Sequence, residues 1–498
     1  MTSDPTTGKP DVDEEVRHRT AMRCQKRGIV IPTFAELRDP TLVSADIRSR
    51  LEKTGLADVD PVNLFRITWR NEPTGGGFGA VNAIEIPSEI SGVPARIVGL
   101  VGKHFPTGAH KVGDAFGCLV PRLISGEFDP TSHKAVWPST GNYCRGGAFD
   151  SALLGCESLA ILPEQMSRER FRWLEEIGAE ILATPGSESN VKEIFDACQE
   201  IARTRPEAVI FNQFDEFGNY LWHYGVTGPA VESAWQRLGG NGRLAGWVAA
   251  TGSAGTLAAG DYLKHRFPTC RITAAEALQC PTLLSVGFGA HRIEGIGDKH
   301  VPWIHNARNT DMVVAIDDEA TMQLLRLFNE TAGGEELARR GVSDEVRARL
   351  PLLGISSICN LLAAIKTARY YEMDGDDMLF TSFTDSVAMY ETRLDELRAD
   401  RGPYTALDAA AHYERYLLGA NTEHLQELRF TDRRRIHNLK YFTWVEQQGK
   451  SVEELDALWS PAFWTDLVEQ LDELDERIET FNTDSGALDV IRARQENP

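Results

Sequence analysis

The chain has 498 residues, of which 42% are hydrophobic and 25% are charged, which is the balance of a globular protein. Its length is enough for more than one hydrophobic core, so we expect two or three domains. The formal net charge of −21 argues against nucleic-acid binding, because phosphate backbones are bound by clustered lysine and arginine.

The first residues and the cysteines bear on where the protein works. The segment 1–15 has no basic leader followed by an apolar run, so the sequence predicts no secretory signal, and no apolar stretch is long enough to predict a membrane helix. The eight cysteines form no C-x-x-C pair, which favours reduced thiols in a cytoplasmic protein. Asp298, His300 and His305 are of metal-binding types, but their spacing fits no compact motif, so no metal site is predicted.

Residues 1–60 are polar and charged, with a weak helical pattern near residues 34–51, and we interpret them as an N-terminal arm. From Pro94 to about Tyr390, short apolar runs alternate with amphipathic helical stretches. Examples of these runs are 95–100, 135–137, 158–162, 208–211 and 246–250. Such alternation predicts parallel strands with crossover helices, an α/β fold of open sheets whose ligands bind at the carboxyl ends of strands.

Residues 395–498 are predicted to form a helical C-terminal extension. Ser460 and Pro461 form a helix start signal, with serine at the N-cap and proline at the first helical position. A three-four spacing then predicts one apolar helix face, made of Trp464, Leu467, Leu471, Leu474 and Ile478. We expect this face to pack on the body of the protein; a subunit contact is the alternative.

The first chemically informative segment is 107–114, which follows the predicted strand at 95–101 and contains Lys111. Taken alone, a surface lysine is the simpler interpretation. Schiff-base chemistry, however, needs a lysine held on a rigid turn beside a helix start, where its amine can lose a proton and attack an aldehyde.

The second segment is the turn 138–142, directly after the predicted strand at 135–137. Its hydroxyl residues and glycine can expose backbone N–H groups to an anion such as an α-carboxylate, and Asn142 can hydrogen-bond a phenolate oxygen. A polar strand-to-helix turn without a ligand has the same composition, so both interpretations stay open.

The third segment, 251–256, lies between the predicted strand at 246–250 and a helical stretch. Glycines allow the backbone to approach a phosphate, and the helix start adds partial positive charge. The helix dipole contributes only about 0.3–1 kcal/mol, so direct N–H bonds must provide most of the affinity. The fourth segment, 353–357, opens another helical run, where a serine is either an N-cap or a hydroxyl facing a pyridine nitrogen.

In this order, the four segments resemble those of the cysteine synthase and cystathionine β-synthase family, which are fold type II pyridoxal-phosphate enzymes. The turn 108–111 resembles that of a relative, the β subunit of tryptophan synthase. The resemblance extends from about residue 60 to about residue 390. Further segments that are similar to family landmarks are 162–167, 174–179, 212–214, 227–229 and 291–297.

The resemblance implies a fold of two open, mostly parallel sheets with flanking helices. It divides the chain into the arm (1–60), a catalytic core of two interleaved α/β subdomains (61–394, the smaller about 112–235) and the C-terminal extension. It also implies a homodimer or a higher homo-oligomer.

The resemblance assigns roles to residues of all four segments and implies pyridoxal 5′-phosphate as the cofactor. Lys111 is expected to hold the cofactor as a Schiff base and to act as the catalytic base. The other residues expected to bind the cofactor are Asn142, Ser356 and, around the phosphate, Gly252, Ser253, Ala254, Gly255 and Thr256. The residues expected to bind the substrate are Ser139, Thr140, Gly141, Tyr143 and Gln213.

Several residues depart from the family pattern. Tyr143 stands where the family usually has a small threonine, Arg145 follows two residues later, and Ala254 replaces a glycine of the phosphate cup. Lys103 and His104 are also unusual on the approach to the lysine. These differences put the usual substrate, O-acetylserine, in question.

The function implied is β-replacement on a small amino acid with a β-leaving group, of the serine, O-acetylserine or cysteine type, through an aminoacrylate intermediate. The alternative is α,β-elimination by a lyase of the cysteine desulfhydrase or amino-acid ammonia-lyase type. A further alternative is a non-catalytic relative that only binds the cofactor or a partner. The roles of two side chains are left open at this point. Cys144 is either a reactive or a buried thiol, and His110 either tunes Lys111 or contacts the phosphate, or packs against the neighbouring strand.

Overall fold

The computed structural model describes residues 13–186, 191–239, 242–297 and 299–496. Within them the strands form a seven-stranded and a four-stranded sheet. The strands are β1 Ala83–Ile86, β2 Arg96–Val101, β3 Lys134–Pro138, β4 Glu157–Pro163, β5 Glu180–Thr184, β6 Ala208–Ile210, β7 Arg243–Ala250, β8 Arg271–Ala277, β9 Met312–Ile316, β10 Asp377–Phe383 and β11 Leu425–Glu427.

The seven-stranded sheet has the order β1-β2-β10-β7-β8-β9-β11. Its five inner strands are parallel, and the two edge strands, β1 and β11, pair antiparallel with β2 and β9. All seven residues of β10 are buried, as expected for a strand covered by helices on both faces. Because β2, β10 and β7 are neighbours, the loops that follow them meet at one edge of the sheet.

The four-stranded sheet has the order β5-β4-β3-β6 and is parallel throughout. It lies inside the range 112–235 that the sequence predicts for the smaller subdomain; the division into subdomains itself stays a prediction. The loop after β3 points to the same region as the loops of the large sheet, as the hydrogen bonds described below establish.

Helices cover both sheets, as expected for strands joined by crossover connections. The helices are α1 Glu14–Arg27, α2 Phe34–Arg38, α3 Ala45–Leu51, α4 Ser88–Ser91, α5 Lys111–Ser125, α6 Asn142–Leu154, α7 Arg168–Glu176, α8 Val191–Thr204, α9 Phe217–Trp222, α10 Gly228–Gly239, α11 Leu257–Arg266, α12 Thr282–Ser285, α13 Asp318–Asn329, α14 Thr331–Arg339, α15 Asp344–Arg349, α16 Ile355–Tyr370, α17 Glu391–Arg401, α18 Ala406–His412, α19 Phe430–Lys440, α20 Val452–Ala457, α21 Pro461–Ser485 and α22 Ala487–Glu496.

The C-terminal extension is helical, as predicted, apart from the short edge strand β11. The predicted apolar face of α21 packs on the body of the protein: Trp464 and Leu467 join a cluster with Tyr220 of α9, while Leu474 and Ile478 join the main core. Helix α21 also holds the N-terminal region. The Asp475 carboxylate accepts hydrogen bonds from the N–H groups of Phe34 (2.6 Å) and Ala35 (3.0 Å) at the start of α2.

The strands predicted near residues 95, 135, 158, 208 and 246 are all present, as β2, β3, β4, β6 and β7. The sequence did not predict helix α1, which lies within the N-terminal arm. Among the described residues, no single helix is both long enough and apolar enough to cross a membrane. Both conditions are met by the pair Asp344–Leu352 and Ile355–Tyr370 taken together, which is bent by 120°.

Candidate functional site

Lys111 is the first residue of α5, directly after the loop that follows β2. Its Nζ lies 3.3 Å from Oε1 of Gln213, a residue of the loop between β6 and α9. The structure therefore brings together the predicted catalytic lysine and one of the predicted substrate-binding residues.

A short chain of hydrogen bonds connects this lysine to the predicted phosphate cup. The side-chain amide of Asn219, on α9, donates to the backbone carbonyl of Gln213 (3.0 Å) and to Oγ of Ser253 (3.0 Å). Lys111 and the cup are thus linked through Gln213 and Asn219, an arrangement that suits Schiff-base chemistry on a phosphate-bearing cofactor.

The cup itself, residues 252–256, is the loop between β7 and α11. Among the described residues, none accepts a hydrogen bond from the backbone N–H groups of residues 252–256. Ala254 has φ +66°, and this left-handed backbone conformation costs roughly 1–2 kcal/mol for any residue that carries a Cβ. Gly255 packs so tightly on Asn219 that a Cβ would lie 1.9 Å from its Oδ1. A strained turn with five N–H groups left unpaired by the described part of the chain is suited to an anion.

Asn142 is the first residue of α6, and both ends of its amide already have partners. Its Oδ1 accepts from Arg145 Nη1 (3.1 Å), and its Nδ2 donates to Asp385 Oδ2 (2.7 Å). Because an amide nitrogen carries two hydrogens, one donor is left for a ligand such as a phenolate. The Arg145 guanidinium also donates to the Thr107 carbonyl (2.7 Å), which ties the asparagine turn to the lysine loop.

Ser356 lies in the first turn of α16 and is buried. Its Oγ has no hydrogen-bond partner in the described part of the chain, whereas Oγ of the neighbouring Ser357 donates to the Asp385 carbonyl (3.3 Å). A buried hydroxyl without a protein partner is unusual and needs one, so Ser356 is suited to bond a ring nitrogen.

Asp385 is the site residue that the sequence prediction missed. It lies two residues after β10, is fully buried and receives hydrogen bonds from Asn142 and from the Tyr390 hydroxyl (2.7 Å). Through its carbonyl it also holds Ser357, so the asparagine turn and the serine helix meet at this residue. Its place at the carboxyl end of a buried strand is the signal that could have predicted it.

An ion-pair network behind the asparagine turn was also missed. Arg170 of α7 is fully buried, pairs with Glu294 and donates to the Tyr390 hydroxyl (3.0 Å). On the other side of Glu294, Arg393 of α17 forms a second ion pair (2.6 Å). Gly141 (φ +150°) allows this packing, because a Cβ there would lie 2.2 Å from Arg170 Nε.

Tyr143, a predicted substrate residue, and Cys144 are both fully buried. The Tyr143 ring packs edge-on against Trp137, with centroids 5.4 Å apart, and burial raises the pKa of its hydroxyl. Cys144 is fully buried and its thiol faces the Gly141 carbonyl; burial raises its pKa to about 12, which favours the interpretation of an inert thiol. Ser139 lies in the asparagine turn, where its Oγ accepts from the Gly141 N–H (3.0 Å). Thr140, the other predicted hydroxyl residue, lies between Ser139 and Gly141 in the same turn.

Two basic side chains, Lys103 and His104, lie beside the lysine loop. Lys103 is partly exposed beside the lysine loop, and burial together with the charge of Arg145 lowers its pKa. Burial and the charge of Arg170 lower the pKa of Arg145 itself to about 10. His104 is partly exposed as well, and its pKa is lowered by burial and by Lys103. Asp298, the first of the three residues considered for a metal site, lies outside the described residues.

Comparison with known proteins agrees with this arrangement. The sequence profile described as "Pyridoxal-phosphate dependent enzyme" matches residues 102–334. A cysteine synthase of Staphylococcus aureus is 30% identical over 268 residues, which cover 53% of this chain and 78% of that protein. A probable cysteine synthase of Bacillus subtilis is 29% identical over 270 residues, covering 54% of this chain and 80% of that protein.

Solved structures share the fold. A hydrogen sulfide-producing enzyme of Fusobacterium nucleatum superposes with a TM-score of 0.53 and 24% identity, covering 67% of this chain and 92% of that one. An O-acetylserine-dependent cystathionine β-synthase of Helicobacter pylori gives a TM-score of 0.52 and 24% identity, covering 62% of this chain and 94% of that one.

Proposed function

Because the chain belongs to the cysteine synthase family of pyridoxal-phosphate dependent enzymes, we propose that it replaces a leaving group on the β-carbon of a small amino acid. The observation that carries the proposal is the connection of Lys111, through Gln213 and Asn219, to a cup of five backbone N–H groups. An amine and an anion cup at this spacing suit an aldehyde that also bears a phosphate.

The residues of the site fit pyridoxal 5′-phosphate. Residues 252–256 would hold the phosphate, Lys111 the aldehyde carbon, Asn142 the phenolate with its remaining amide hydrogen, and Ser356 the ring nitrogen. When bound, the cofactor supplies an electron sink that allows bonds at the substrate α- and β-carbons to break. A neutral hydroxyl leaves the ring nitrogen largely unprotonated, which makes that sink modest and favours loss of a β-leaving group.

The protein's own contribution is to bind, orient and move a proton. Lys111 Nζ is the group placed to take the substrate α-proton and to return it. The turn 139–142 would bind the α-carboxylate at the N-terminus of α6, a 13-residue helix. Arg145 and Asp385 hold this turn in place through their hydrogen bonds to Asn142.

The buried state of the turn supports replacement over elimination. Ser139, Asn142 and Arg145 are all nearly or fully buried, so the substrate carboxylate would be held away from water. Replacement requires a dry site that waits for a second substrate, whereas elimination needs only water or solvent exchange. The lyase reaction, of the cysteine desulfhydrase or ammonia-lyase type, is the second candidate.

The decisive experiment follows the absorbance of the holoenzyme during titration with O-acetylserine, serine, cysteine, phosphoserine and threonine. We expect one of them to shift the spectrum and, with a thiol or sulfide present, to give a β-substituted amino acid. Pyruvate and sulfide formed from cysteine alone would instead identify a lyase. Lys111→Ala is expected to lose both the yellow colour and the turnover; unchanged activity in this variant would leave only a non-catalytic role.

We also propose that the protein works in the cytoplasm as a homodimer or higher homo-oligomer. The eight cysteines are all free, which supports a reducing compartment. Phe288 and Val286, in the loop after α12, are 77% and 57% exposed, and they are candidates for a subunit contact. Light scattering of the purified holoenzyme measures the number of chains directly.

A further inference from the structure

Three titratable side chains, His110, Asp114 and His223, form a buried cluster next to Lys111. His110 is the residue before α5, Asp114 lies in its first turn, and His223 begins a π-helical segment, His223–Thr227, after α9. Their exposed fractions are 0%, 1% and 0%. His110 thus has no exposed surface, whereas the neighbouring Lys111 is partly exposed.

The nitrogen and oxygen atoms of these side chains converge on one point. One ligand atom from each of the three lies within 4.8 Å of the others, and His223 Nε2 is 2.8 Å from Asp114 Oδ1. Apart from this contact, the carboxylate has no hydrogen-bond partner in the described ranges. Neither ring nitrogen of His110 has one there either. Buried polar atoms normally have a partner, so this cluster requires an explanation.

The surroundings of His223 are those of an oriented metal ligand. Its other ring nitrogen, Nδ1, lies 3.0 Å from Thr227 Oγ1, and that oxygen accepts a hydrogen bond from Trp69 Nε1 (3.0 Å). A histidine that binds a metal through one nitrogen is commonly held by such a bond at the other. The His110 ring lies against Trp69 and His223, with both centroid distances 5.3 Å, so it too is fixed in position.

We propose that His110, Asp114 and His223 bind a divalent transition-metal ion, of which zinc best suits two imidazoles and a carboxylate. The second Asp114 oxygen or one water molecule would complete four-fold coordination. A second buried carboxylate, Asp150, has no partner among the described residues and interacts electrostatically with Asp114. A cation bound at Asp114 would offset the negative charge of this carboxylate, which the protein interior otherwise disfavours.

Such an ion would be structural. None of its three ligands is exposed, so no substrate could reach an open coordination position. Its effect on the reaction would pass through α5: His110 and Asp114 flank Lys111 in sequence, and an ion joining them to α9 would fix the first turn of that helix. This inference stands apart from the proposed β-replacement and would hold for a lyase or a non-catalytic protein.

The test measures metal content by inductively coupled plasma mass spectrometry on the full-length holoenzyme, produced with zinc in the medium and purified without a metal resin. We expect about one zinc per chain, as for a buried structural site. Asp114→Asn and His223→Gln should lower this to well below one zinc per chain, because each removes a ligand from the site. The matched control is His305→Gln, which alters another fully buried histidine bonded to a threonine hydroxyl but should leave the zinc content unchanged.

A second measurement does not depend on whether the variants fold. X-ray absorption at the zinc edge of the wild-type holoenzyme should show a nitrogen and oxygen first shell with the scattering pattern of two imidazoles. Less than about 0.1 zinc per chain after denaturation and refolding with excess zinc would overturn the proposal, since a site of this kind binds as the chain folds. So would a first shell that contains sulfur or lacks imidazole, or zinc retained in both Asp114→Asn and His223→Gln.

Discussion

At the scale of single residues, two adjacent serines in the first turn of α16 have opposite surroundings. Ser357 Oγ donates to the Asp385 carbonyl, whereas Ser356 Oγ has no partner in the part of the chain that the structure describes. A hydroxyl that stabilises the fold and one that serves a ligand should therefore respond differently to removal.

We expect Ser356→Ala to lower turnover about tenfold, the loss of one hydrogen bond to the cofactor ring, with little change in the free energy of unfolding of the apoprotein. Ser357→Ala should do the reverse, costing about 0.5–1.5 kcal/mol of stability while keeping most activity. Steady-state kinetics and urea unfolding of both variants measure the difference. Equal effects of the two substitutions on turnover would contradict the assigned role of Ser356.

At the scale of elements, α7 and α17 hold the asparagine turn through the buried network of Arg170, Glu294 and Arg393. Removing one member of such a network leaves a charge in the interior without compensation. The network lies behind Gly141, so its loss should be felt by the turn that binds the substrate carboxylate.

We expect Arg170→Gln to lower the free energy of unfolding by about 3–5 kcal/mol and to raise KM more than it lowers kcat. The control is Arg172→Gln, which removes an exposed arginine from the same helix. Urea unfolding and substrate kinetics give both quantities. A stability equal to that of the Arg172→Gln variant would show that the buried ion pairs contribute little.

Local elements could be predicted from the sequence, whereas contacts between distant elements could not. Apolar runs predicted β2, β3, β4, β6 and β7, and turn chemistry predicted the loops with Lys111, Asn142 and residues 252–256. Asp385 and Arg170 were missed because their importance comes from contacts over long separations, 243 residues from Asn142 in the first case and 124 residues from Glu294 in the second. A sequence pattern likewise cannot tell that the Tyr143 ring packs against Trp137, and the role of Tyr143 at the substrate stays a prediction.

At the scale of the whole molecule, buried carboxyls make stability depend on pH. Glu276 of β8 is buried and accepts hydrogen bonds from the N–H groups of Leu283 (2.8 Å) and Leu284 (2.9 Å), yet burial raises its pKa to about 7. Burial also raises the pKa of Glu216 to about 7. Both carboxyls keep a proton in the folded state that the unfolded chain releases near pH 4.5.

The contribution of these two carboxyls to stability should therefore fall as the pH rises from about 4.5 to 7, by at most about 1.4 kcal/mol per pH unit for each proton. Buried histidines whose pKa is lowered by burial, such as His305 and His437, act in the opposite direction. We expect Glu276→Gln to make this fall shallower, because one of the two protons no longer titrates. Glu335→Gln, which removes an exposed carboxyl, is the control. Urea unfolding between pH 4.5 and 8 measures the slope, and a Glu276→Gln slope equal to that of wild type would mean that Glu276 is ionised throughout.

The hydrogen bonds from Asp475 to the start of α2 also have a consequence during protein synthesis. The two partners are 441 and 440 residues apart, so α2 leaves the ribosome long before its partner is made. Until then Phe34 can pack only on parts of the chain made earlier, such as Phe116, and the start of α2 lacks its hydrogen-bond acceptor, which leaves this region more open to chaperones or proteases. The two sheets can form on the ribosome, but the N-terminal region reaches its final place only after translation of α21.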